Sequence, residues 1–437
     1  MMLPIRYEDR GVATILYDEK VFEWRYEGAW QSAADRFPVS LTMPVTDKMI
    51  GADVVVPWLM NLLPEGEPLR AMTRVLGASA EDVIGLVTET GGDLAGALTI
   101  GDHSTEGEPG YRPISDTASL ARIIAELPAR PFLANEEGVA MSLAGAQDKL
   151  PVAVRDGEFT IPVNGAPSTH ILKPDNPRLF GSVQNEALCM VLARRVGLNV
   201  APVTTGVAGD RSYLLVERYD RLGDGDRVRR LHQEDFCQAL GRSPVAKYQF
   251  NRSGRRGPSL EEMFDVVREH MTAVDITRFL DAVIFNIGIG NVDSHAKNYS
   301  ILLQPEIQFA PLYDLMSGLA WDGITPNHAQ DVGGQRRGTY IYGRHWRRMA
   351  EACGLAPAAT VRRVAGVLDR VLDELPNAAE EVAAMPGGAG AFLELFVDEI
   401  RKRASEVRAH SLVEGDAGHG MSTEPSDIPD EASAYPT

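Results

Sequence analysis

The chain has little cysteine: three among 437 residues, Cys189, Cys237 and Cys353, far apart and each among apolar neighbours. That scarcity excludes a disulfide framework and a cysteine-rich zinc site, and it suits buried free thiols in a reducing compartment. No apolar run approaches the roughly 18 residues of a membrane-crossing helix, and the N-terminus does not read as a secretory signal. A soluble, cytoplasmic protein is expected. Positive charge is also short. Lys and Arg number 43 against 61 Asp and Glu, giving a net charge of −18. Strong DNA binding by the protein itself is disfavoured, because phosphate contacts need a basic surface. The phosphate loop Gly-x4-Gly-Lys-Ser/Thr occurs nowhere.

What is present is a dense polar loop. Asn291, Asp293, His295, Lys297 and Asn298 fall within eight residues, after the apolar Phe285, Ile287 and Ile289 and before the strand-like Tyr299-Ser300-Ile301-Leu302-Leu303. Sixteen residues past Asn298 stands Asp314, in Pro311-Leu312-Tyr313-Asp314-Leu315. An Asp able to take a hydroxyl proton, an Asn five residues on and a second Asp beyond a short apolar strand form the layout of a phosphoryl-transfer site, the last two holding metal. An isolated Asp-x4-Asn is more often a turn-capping loop. Here the apolar brackets favour the chemical reading.

Upstream, Ser168-Thr169-His170-Ile171-Leu172-Lys173-Pro174 reads as a short strand ending in a single Lys. Pro174 bars a helix and biases Lys173 to extended backbone, so its ammonium projects from a strand face. A kinase holds nucleotide phosphates with such a Lys, although most strand-end lysines only drape their stems on the surface. Ser182 to Gly197 reads as a helix, with Ser182 as cap, Val183, Ala187, Leu188, Val191 and Leu192 at helical spacing and Gly197 as the stop. Glu186, in its first turns, either reaches back to Lys173 or favours the helix N-terminus. The strand Ser212 to Arg221 comes where a kinase offers backbone groups to adenine.

Six strings in this order resemble the HipA family of serine/threonine kinase toxins: Met141 to Leu150, His170 to Pro174, Val216-Glu217-Arg218-Tyr219-Asp220-Arg221, His232-Gln233-Glu234-Asp235, Asp293-Ser294-His295-Ala296-Lys297-Asn298, and Tyr313-Asp314. The likeness covers about residues 1 to 405. It includes Phe37-Pro38-Val39-Ser40-Leu41-Thr42-Met43-Pro44 and Trp58-Leu59-Met60-Asn61-Leu62-Leu63-Pro64-Glu65-Gly66 near the N-terminus. The resemblance implies an α+β, two-lobed protein-kinase-like fold with a mixed β N-lobe, a helical C-lobe and a small N-terminal α+β subdomain.

By position, the resemblance makes Asp293 the catalytic base, Asn298 and Asp314 the Mg²⁺ ligands and Lys173 the phosphate-binding lysine. Glu217 and Tyr219 would give backbone contacts to adenine, with Gln233 and His295 lining the ATP site. Ser142 would be the autophosphorylated serine, and Ala144, Gly145, Ala146 and Gln147 part of a mobile loop, reaching to Pro151, over the phosphates. That loop has one glycine where ordinary protein kinases have three; a phosphate on Ser142 would favour a rearranged loop. Ser294 stands where the family often has Gly, with the spacing of Asp293, His295, Lys297 and Asn298 intact. ATP and Mg²⁺ are the implied cofactors, an aminoacyl-tRNA synthetase the substrate, and a HipB-like DNA-binding antitoxin the partner through which DNA is reached.

Composition divides the chain into residues 1–102 as the N-terminal subdomain, 103–135 as linker and connecting helix, 136–224 as N-lobe, 225–410 as helical C-lobe and 411–437 as a disordered acidic tail. The tail holds six acidic residues and no Lys or Arg, too little apolar surface to order itself. Gly101 to Pro113 reads as the linker. Arginines cluster at Arg227 to Arg230, Arg252 to Arg256, Arg336-Arg337 and Arg344 to Arg348, and Lys247 to Pro258 reads as a flexible substrate-side loop. Two other readings are a small-molecule kinase on the same scaffold and a nucleotide-binding corepressor without kinase activity.

Overall fold

The computed structural model describes residues 2–18, 22–103, 107–224, 227–251 and 254–414. The expected disordered tail lies outside them, apart from its first four residues. The chain packs into two compact units. One gathers Met1–Pro174, Ala208–Pro244 and Ile301–Ile307; the other gathers Asp175–Val207, Val245–Ser300 and the chain from Gln308 onward.

The first unit is built on two antiparallel sheets. Strand Met2–Tyr7 buries Leu3, Ile5 and Tyr7 on one face, the period of two that a half-buried strand requires. It pairs with Arg10–Tyr17 and Leu98–Ile100, and Phe22–Tyr26 extends the far edge. The helices Ala52–Met60 and Gly66–Leu76 belong to the same unit. Aromatic rings fill the core, with Trp24 edge-on to Trp58 at 6.1 Å and Trp30 to Phe37 at 5.0 Å.

The second sheet runs Gly110–Pro113, Glu158–Val163, Leu150–Arg155, His170–Pro174 and Arg211–Glu217 in spatial order. Two expectations change here. Gly110–Pro113 is not linker but a strand whose Tyr111 faces Pro162; Gly and Pro mark it as an edge. Leu150 and Pro151 belong to a strand, so the loop after Ser142 ends at Lys149.

The second unit is mainly helical. Pro357–Ala383 packs against Ser182–Arg195, Ala273–Ile289 and Ala391–Ser411, burying Val364, Val367, Leu368, Val371 and Leu375. Ser182 is not the cap of its helix. Gly181 takes that position, and the Ser182 hydroxyl accepts the Asn176 amide at 2.8 Å. All three cysteines are free and buried. Among the described residues no helix is long and apolar enough to cross a membrane.

Candidate active site

In the helical unit, the segment before Asp293 is the end of the Ala273–Ile289 helix, which starts at a capping box between Thr272 and Asp275 and stops at Gly290 (φ +71°). Phe285, Ile287 and Ile289 are buried, as are the residues between them, so no single face shows in the sequence. A Cβ on Gly290 would lie 2.5 Å from Leu319 Cγ. The chain therefore needs glycine there for conformation and for space.

Side chains then fold the loop upon itself. Asn291 Nδ2 donates to Asn286 Oδ1 at 2.9 Å, and the Asp293 amide donates to Asn291 Oδ1 at 3.1 Å. The Asp293 carbonyl accepts the His295 amide at 2.7 Å and Asn298 Nδ2 at 2.8 Å. Every residue from 291 to 298 is buried. Tyr248, which no sequence motif singled out, donates its hydroxyl to Asp293 Oδ1 and sets its ring edge-on to His295 at 5.1 Å. Its neighbours correct the expectation of a flexible loop. Lys247, Tyr248 and Gln249 are buried, pinned by Ala296 N–H to Lys247 O at 3.2 Å and Gln249 N–H to Ala329 O at 3.1 Å; Arg252 and Ser253 lie outside the described residues.

Burial, then the nearby Lys247 ammonium, push the His295 imidazole well below its ordinary value. It is neutral, and its buried Nδ1 meets no partner among the described residues. Asp314 has φ +57°, a left-handed backbone rare outside glycine. Its flanks impose it: Leu312 bonds to Asn199 and Ala201, Tyr313 donates to Lys297 O at 2.7 Å, and Ser317 exchanges bonds of 2.8 and 3.1 Å with the amide of Asn185. Asn185 precedes Glu186, which is buried on the same helix. Lys173 belongs to the other unit.

Asn298 and Asp314 offer hard oxygens. The Nδ2 of Asn298 is committed to Asp293 O, which leaves Oδ1 as the atom that can meet a cation. Among the described residues no group of three or more His, Cys, Asp or Glu side chains could hold a metal. Mg²⁺ asks for no such cluster, because it completes the shell of one or two protein oxygens with water and substrate phosphates.

In the first unit, Lys173 sits mid-ladder opposite Leu214 and is buried. Glu217 ends the neighbouring strand, and the Tyr219 hydroxyl donates to Gln233 Oε1. Ser142 is wholly buried, its hydroxyl donating to Leu62 O at 3.0 Å. Ala144, Gly145, Ala146 and Gln147 are half-buried; Glu65 N–H donates to Gly145 O and Lys149 Nζ to Ala144 O. Sequence reasoning missed a buried charge network beneath them. Arg218 and Arg221 bind Asp93 and Asp220 at 2.8 to 3.3 Å, with Arg230 at 3.6 Å from Asp93. Arg230 is therefore internal and not part of a solvated basic patch.

Antiparallel sheets in one unit and helices in the other, with a buried Asp-x4-Asn loop and a second Asp held in left-handed backbone, define a kinase-like α+β fold. Residues 3–101 match the HipA N-terminal domain, and residues 141–379 match the HipA-like C-terminal domain. The chain belongs to the HipA family. The protein Y4mE of Sinorhizobium fredii is 37% identical over 88% of this chain and 92% of its own length. The serine/threonine-protein kinase toxin HipA of Shewanella oneidensis is 30% identical over 83% of this chain and 84% of its own. The solved complex of the Shewanella oneidensis toxin-antitoxin system HipA, HipB and its operator DNA contains a chain matching with a TM-score of 0.81 at 26% identity, over 94% of this chain and 100% of that one.

Proposed function

We propose that the protein is an ATP- and Mg²⁺-dependent serine/threonine protein kinase that modifies an aminoacyl-tRNA synthetase and is restrained by a HipB-like DNA-binding antitoxin. The observation that carries the kinase reading is the Asp293 loop. A buried carboxylate oriented by Tyr248, with Asn298 tied to the same residue's carbonyl, suits a general base beside a metal ligand. Asp293 takes the proton of the acceptor hydroxyl as that oxygen bonds to the γ-phosphorus and the bond to ADP breaks. Asn298 and Asp314 would hold Mg²⁺, which when bound neutralises charge on the transferred group. Lys173 would hold phosphates, the backbone of Glu217 and Tyr219 the adenine, and Gln233 and His295 would line the nucleotide. The antitoxin and the synthetase rest on family membership; the related complex that contains HipB supports the former.

Ser142 is the proposed autophosphorylation site. Its hydroxyl donates to a carbonyl in a fully buried position, so phosphate cannot be accommodated without the segment moving. Purified protein incubated with labelled ATP and Mg²⁺ should label itself, whereas Asp293→Ala and Ser142→Ala should not. An Asp293→Ala variant that labels as the parent does overturns the assignment of the base.

A further inference from the structure

The string Phe37 to Pro44 has no part in the chemistry above, yet it holds His232 and Glu234, the residues on either side of Gln233. His232 Nε2 donates to Val39 O at 2.8 Å, and the His232 ring packs against Phe37 with centroids 5.0 Å apart. The Leu41 amide donates to Glu234 Oε1 at 2.9 Å. From the other side comes Gly96 (φ +86°), where a Cβ would lie 2.9 Å from His232 Nδ1 and 3.2 Å from the Gln233 amide. Gln233 is thus gripped on both neighbours, while its side chain accepts the Tyr219 hydroxyl. Residues 37–41 form a strap across the back of a residue assigned to the nucleotide.

We infer that Glu234 is a positioning residue for ATP: by holding the Leu41 amide it fastens the strap, and the strap fixes Gln233 and, through it, Tyr219. The inference rests on the nucleotide reading of Gln233 and Tyr219. Glu234 touches neither substrate nor reacting atoms.

The chemistry of the carboxyl gives the strap a particular sensitivity. Glu234 is 1% exposed, and its Oε2 meets no partner among the described residues. No cation faces it. Ser40 and Leu41 come from the strap, Tyr26 from the strand Phe22–Tyr26, and Asp235 from its own strand. Burial pushes Glu234 up to about 8, so near neutral pH the group is a neutral acid. Ionisation places a buried charge beside the Asp235 carboxylate, with the Ser40 and Leu41 donors to meet it, and the strap relieves it by opening.

The test is binding of a non-hydrolysable ATP analogue with Mg²⁺ to the full chain from pH 6.5 to 9, with steady-state kinetics beside it. The parent is expected to lose affinity as pH rises through about 8. Glu234→Gln keeps an acceptor for the Leu41 amide and cannot ionise, so its affinity should stay level over the same range. Glu234→Ala should weaken binding about tenfold, and raise KM for ATP with little change in kcat. Should Glu234→Ala fail to fold, the comparison of parent with Glu234→Gln still decides. Parallel losses in those two, or parent-like binding by a folded Glu234→Ala, overturn the strap alone. A parent that binds no analogue at any pH overturns the nucleotide reading, and the positioning role with it.

Discussion

The Tyr248 hydroxyl takes one oxygen of the Asp293 carboxylate, so the proposed base, which could otherwise turn about its Cβ–Cγ bond, is kept in one orientation. Tyr248→Phe keeps the ring packed on His295 and removes that hold. The expected outcome is a kcat roughly tenfold lower with KM for ATP nearly unchanged, because the bond acts on the proton transfer and not on nucleotide binding. Neutral His295 makes a different contribution. Burial disfavours its charged form, so it offers a polar contact without adding positive charge. Asp293, His295, Asn298 and Asp314 could be singled out because their spacing is set by chemistry. Tyr248 could not, because it reaches Asp293 from 45 positions away with no motif around it.

At the scale of elements, the junction between the Ala273–Ile289 helix and the Asp293 loop is a tight constraint. Gly290→Ala combines a positive φ with a methyl driven into Leu319. It should cost about 3 kcal/mol in a urea titration, strain and overpacking together. This helix also marks a limit of reading from sequence. Phe285, Ile287 and Ile289 alternate as a strand does, yet they lie in the C-terminal half of a helix, which is buried on all sides, so the 3.6-residue period disappears there. Gly110–Pro113 failed in the opposite sense: its composition is that of a loop, and only pairing with Glu158–Val163 makes it a strand. The Gly66–Leu76 helix, by contrast, carries its amphipathic pattern in the sequence, because one side of it faces water.

Across the whole molecule, charges buried in the first unit set the response to pH. Burial pushes Asp93 and Asp220 upward, but Arg221, Arg218 and, for Asp93, Arg230 outweigh it; Asp93 is held below its ordinary value and Asp220 near 2. Their stabilisation is present above the ordinary value of 3.8 and is lost as pH falls toward 2. Asp93→Asn leaves arginines short of a counter-charge and should cost about 3–5 kcal/mol, read as a lower urea midpoint at pH 7. Glu234 has the opposite sign. Between 4.5 and about 8 the folded chain holds a proton that the unfolded chain has released, so stability declines as pH rises through that window. Glu234→Gln should therefore melt higher than the parent at pH 8 and differ little at pH 4.5.

The network around Asp93 also bears on how the chain is made. Asp93 leaves the ribosome 125 residues ahead of Arg218 and 128 ahead of Arg221. At about 5–20 residues per second its carboxylate waits roughly 6–25 s for a counter-charge. Until then the nascent N-terminal domain carries a charge it has nowhere to bury, so its fold closes only when the sheet that follows has been synthesised. A recombinant fragment that ends before Arg218 inherits the same defect for good, and should be recovered in soluble form only after Asp93 is replaced by a neutral residue.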